Sequence, residues 1–99
     1  MMRSVGLSDL DLAARALLAV PQETWITAAG HLIEAAHAAD LWRKRHGRAH
    51  PSGETGSLYA QASLCPRVAT SPPSARYCAA LLTVLQALEL WRNRAHREL

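Results

Sequence analysis

A chain of 99 residues, with 11 Lys and Arg against 8 Asp and Glu, makes one small domain, close to the size at which oligomerisation supplies burial that a lone core lacks. It has no phenylalanine and is dominated by Ala and Leu, which favours helices packed closely through small side chains. Cys65 and Cys78 stand thirteen positions apart without C-x-x-C pairing, which points to reduced thiols in a cytoplasm, and the interrupted apolar runs argue against a signal peptide or a membrane span.

Ser8 precedes an apolar-periodic run and reads as an N-cap, with Asp9 and Asp11 in the first turn where the helix dipole favours negative charge. Leu10, Ala14 and Leu17 share one face of a helix over about 8–20, which Pro21 ends. Pro21 also suits the first position of the next helix, expected over about 22–46 and stopped by Gly47. There Trp25, Ala29, Leu32, Ala36 and Ala39 recur at steps of four, three, four and three, flanked by Ile26 and Ile33. So Ala-rich a stripe lets a partner helix come close.

Residues 47–56, GRAHPSGETG, form a polar surface loop. A short helix over 57–65, closed by Pro66, depends on tertiary packing for its stability. A connector stiffened by Pro72 and Pro73 leads to Ser74, an N-cap for the last helix. That helix, about 75–96, carries Tyr77, Leu81, Val84, Leu88, Trp91 and Ala95 at alternating steps of four and three, widened by Leu85. Leu82 and Leu90 lie off this seam, and a helix apolar on more than one side is either central or in contact with another chain. The expectation is an all-α domain over 1–99. Its two long helices form a hairpin or bundle core anchored by Trp25, Leu32, Ile33, Tyr77, Leu81, Leu88 and Trp91, while Leu82 and Leu90 meet a neighbouring copy.

Chemistry-bearing constellations are sparse. His46 and His50 have H-x3-H spacing, but Gly47 and Pro51 break the helical turn that would align them, and the cysteines are unpaired. Cys78 stands near a helix start, where the dipole lowers a thiol pKa, yet at the edge of the seam a packing role suits it better. No G-x-S-x-G or P-loop string occurs. The expectation is therefore no enzyme, no cofactor and no metal. Asp40 projects near Ile26, Ile33 and Ala36, so it lies on or beside the buried face; a buried carboxylate needs a partner, and Arg43, one turn on, provides it in an intrahelical ion pair at the core edge. His31 and His37 read as solvent-facing, with Glu34 in reach of both.

One octapeptide occurs nearly twice: LWRKRHGR over 41–48 and LWRNRAHR over 90–97, identical at five of eight positions and each following an acidic residue, Asp40 or Glu89. Residues 1–40 carry Arg3 and Arg15 against Asp9, Asp11, Glu23, Glu34 and Asp40, a net of minus three, whereas 41–99 carry nine cations against Glu54, Glu89 and Glu98, a net of plus six. Basic residues in a last helical turn complement the macrodipole without any further role. Their doubling adds a functional alternative, in which Arg43, Lys44, Arg45, Arg48, Arg92, Arg94 and Arg97 contact phosphates weakly and without sequence preference. Trp91 continues its seam and reads as an anchor. Trp42 lies about 100 degrees off the stripe of its own helix and reads as part of a contact surface.

Three strings, DLDLAARALLAVP over 9–21, AAHAADLWRKRHGRAHPSGETGSL over 35–58 and YCAALLTVLQAL over 77–88, resemble the small terminase of the phage-like gene transfer agents of alphaproteobacteria. The run from Arg45 to Leu58 is the most specific part. The resemblance implies a cytoplasmic, helical homo-oligomer in ring form that binds double-stranded DNA and recruits the large terminase subunit. Small terminases generally place a DNA-binding domain before a helical oligomerisation core, and this chain departs from that pattern by lacking room for the first. The family's DNA-reading residues therefore do not carry over, and the basic helix ends stand as their replacement. The alternative is a helical protein–protein adaptor without DNA contact.

Overall fold

The computed structural model describes residues 5–47, 57–68 and 74–97, with side chains as far as Arg94. Its helices are α1 (Leu7–Leu18), α2 (Trp25–His46), α3 (Leu58–Ala62) and α4 (Ala75–Arg97), with a 3-10 turn, Gln22–Thr24, before α2. The described residues contain no strand. The all-α expectation with two long and two shorter helices therefore holds.

Local chemistry explains most boundaries. The first helix is capped by Gly6 rather than Ser8: extended backbone at Gly6 lets its N–H donate to Asp9 Oδ2 at 2.8 Å. Asp9 Oδ1 also accepts the Tyr59 N–H at 2.9 Å. One buried carboxylate thus satisfies amide donors at the start of two helices, which fixes α3 against α1. Ser57 Oγ accepts the Ala60 N–H at 3.0 Å, and α3 stops at Ala62, short of the expected Cys65.

After α1, Pro21 leads into the 3-10 turn rather than opening α2. Trp25 Nε1 donates to the Val20 carbonyl at 3.1 Å across this corner. Ser74 Oγ accepts the Tyr77 N–H at 3.1 Å, as expected of an N-cap. Gly47 ends α2 in the left-handed region at φ 69°, its N–H on the Arg43 carbonyl. A Cβ there would meet nothing within 4 Å, so only backbone strain opposes a side chain. Gly47→Ala should cost about 1 kcal/mol, read as a shift in the urea midpoint.

Contacts along the helices give their sense. Val5 and Leu10 lie by Leu85, Leu88 and Arg92, while Asp11 accepts the Tyr77 hydroxyl at 2.5 Å; α1 and α4 are antiparallel. Donation to Asp11, then burial, pushes the Tyr77 phenol above its ordinary pKa. The Arg76 guanidinium sits 5.0 Å from the centre of the Trp25 ring, and further along Arg94 pairs with Glu34 and Trp91 meets His37. Hence α2 and α4 run in the same general sense, as members of a bundle rather than a hairpin.

Alanines set the packing. Ala29 and Ala36 of α2 and Ala80 and Ala87 of α4 are buried, together with Trp25, Ile33, Val84, Leu88 and Trp91. Leu32, Tyr77 and Leu81, expected as central anchors, are only half-buried, and Leu85 and Ile26 are exposed. The cause is steric: close helix approach selects small residues for the contact line and moves larger ones to its flanks. Cys78 is exposed rather than packed at the seam.

Candidate nucleic-acid interface

The first basic copy closes α2. Asp40 is fully buried, as its angular position implied, and Arg43 Nη2 reaches its Oδ1 at 2.9 Å. Lys44 Nζ reaches Oδ2 at 2.8 Å, a second partner that sequence reasoning passed over although it lies at i+4. Burial pushes the Asp40 carboxyl up, but the hydrogen bonds and charges of Lys44 and Arg43 outweigh it and hold the group below the ordinary carboxylate range. Two of the proposed phosphate contacts are thus engaged by an internal anion. Arg45 is exposed on the same turn.

Trp42 and His46 share one face of that turn. The imidazole lies on the indole with ring centroids 3.7 Å apart and planes 17° from parallel. His46 Nδ1 is 3.1 Å from the Trp42 carbonyl; because a carbonyl only accepts, Nδ1 carries the proton and Nε2 is directed elsewhere. Trp42 is half-buried and His46 exposed.

The second copy is built differently. Trp91 is 7% exposed and packs edge-on to His37, with centroids 5.1 Å apart. His37 is therefore half-buried rather than solvent-facing, and Glu34 turns to Arg94 instead of to either histidine. The Arg94–Glu34 pair is wet, its side chains 61% and 50% exposed. Such a pair is worth about 0–1 kcal/mol and leaves Arg94 able to exchange partners. Arg92 is exposed on a cleft of about 390 Å³ lined by Val5, Leu10, Leu85, Leu88 and Glu89. Arg48 and His50 lie outside the described residues, and so does the side chain of Arg97.

Leu82 and Leu90 are 56% and 60% exposed. Leu90 lines a groove with Ile26 between α2 and α4, and Leu82 is not part of its lining. Among the described residues no three of His, Cys, Asp and Glu come together as metal ligands, and no helix is long and apolar enough to cross a membrane. A family model described as a domain of unknown function (DUF7742) matches residues 3–88. No curated protein and no solved structure matches the chain.

Proposed function

We propose for this chain, which belongs to the DUF7742 family, the role of a non-enzymatic DNA-packaging adaptor of the small-terminase kind, cytoplasmic and homo-oligomeric. It touches double-stranded DNA through its basic helix ends and recruits the large terminase subunit. One observation carries the reading: Arg43, Lys44 and Arg45 stand together on the last turn of α2, and among the described residues Asp40 is the carboxylate that pairs with two of them, Arg43 and Lys44, while Arg45 is exposed. Because Asp40 already engages two of these cations, contact with phosphates is weak in one subunit. A ring of subunits overcomes that weakness through avidity.

A protein adaptor without DNA contact is the second reading, favoured by the exposure of Leu82 and Leu90 on α4. Fluorescence-anisotropy titration of duplex DNA at low and moderate salt separates the two. Binding should weaken steeply with salt, and changing Arg43, Arg45 and Arg48 together to Ala should reduce the salt slope by about 2 to 3. No binding at low salt removes DNA from the mechanism and leaves the adaptor alone. A native mass measurement giving a monomer at micromolar concentration removes the ring.

A further inference from the structure

Phosphate contact accounts for the cations of α2 but not for the aromatic pair set among them. The Trp42 indole and the His46 imidazole are stacked at 3.7 Å and 17°, and the hydrogen bond from Nδ1 to the Trp42 carbonyl fixes the imidazole plane. One face of the imidazole is covered by indole. The ring is exposed overall, and among the described residues no second ring covers its outer face, the free end of a two-ring stack. Arg43, one turn before His46 and paired with Asp40, and Arg45, next to it in sequence and exposed, are cations of the same helical turn. An ordered aromatic face with flanking cations is the arrangement that holds a nucleobase by stacking and its phosphate by charge.

We infer that the end of α2 takes an unpaired nucleobase on the outer face of His46, so that its preferred ligand is a single strand, or a frayed or recessed end, rather than the body of a duplex. Inside a duplex each base already stacks on its neighbours and presents only its edges to the grooves. Only an unpaired or terminal base offers a face. This rests on the DNA-binding reading above and departs from it at one point: phosphate contact serves any DNA backbone, duplex included, whereas the stack at the end of α2 favours strands and duplex ends with an unpaired base. The indole beneath His46 acts as a positioning group: it stiffens the imidazole and excludes water from one side. Stacking tolerates every base, so no sequence preference is expected from it.

The test compares three fluorescent probes of equal length on the full chain at low salt: oligothymidylate, a blunt duplex, and an abasic deoxyribose-phosphate strand. Oligothymidylate should bind about tenfold more tightly than the abasic strand, the effect of one good stacking contact. His46→Ala should abolish that difference, while His46→Phe, which keeps a stacking ring without imidazole nitrogens, should retain it. Proton NMR supplies a readout that a structural role would not move: the His46 ring protons should shift upfield on addition of oligothymidylate, but not of the abasic strand. Equal binding of base-bearing and abasic strands overturns the stacking site while leaving phosphate contact in place. Absence of binding by all three probes overturns both.

Discussion

Trp91→Ala should remove about 3–5 kcal/mol of stability, the usual cost of truncating a buried tryptophan. Native domains hold roughly 5–15 kcal/mol in all, so this one change uses a large part of the reserve. Trp91 is 7% exposed in the cluster with Ala36, Ala87 and Leu88, and His37 meets its edge. The hole left between α2 and α4 cannot close, because their separation is already set by buried alanines. The melting temperature should fall by roughly 15 °C or more. Trp42→Ala, in the twin string, should cost under about 1.5 kcal/mol, since this indole is half-buried at a helix end. Urea unfolding followed by far-ultraviolet circular dichroism gives both values. Equal losses would place Trp42 in a core as well, one completed by a second copy of the chain.

That contrast also marks how far the sequence could be read. The caps at Ser74 and Gly47 are local chemistry, and both were legible. So was the burial of Asp40, because angular position on a helix follows from spacing alone. Asp9 was legible only as a first-turn acid; its bond to the Tyr59 amide joins residues fifty positions apart, and no periodicity reports such a pair. The last helix shows a different limit. A seam chosen by size ranks Tyr77 and Leu81 first, yet close packing chose Ala80 and Ala87. At the candidate site, the stack of His46 on Trp42 follows i,i+4 spacing and is available in the sequence, but the H-x3-H spacing to His50 points first to metal ligation. Arg94 with Glu34 was not available, because it depends on the shared direction of α2 and α4.

Asp40→Asn should lower stability while strengthening polyanion binding, and both effects come from one geometry. The Asp40 side chain is fully covered, whereas those of Arg43 and Lys44 are 32% and 53% exposed. When the carboxylate becomes an amide, both cations can turn to water, but the buried amide keeps poor partners. The cost is about 1–3 kcal/mol, that of an under-satisfied buried polar group. The pH dependence has a definite sign. Lys44 and Arg43 hold the folded-state pKa of Asp40 below its unfolded value of about 3.9, so its contribution is present above that value and is lost as pH falls toward the folded one. Wild type should therefore lose stability through this acid window, and Asp40→Asn should lose less of its own there. Binding moves the opposite way, because Arg43 and Lys44 lose the internal anion that competes with phosphates for them. The slope of log affinity on log salt should steepen by about 1 to 2, measured by duplex anisotropy over a salt series. An unchanged slope would mean that Arg43 and Lys44 never reach the phosphates, leaving Arg45 as the cation of that turn that meets DNA.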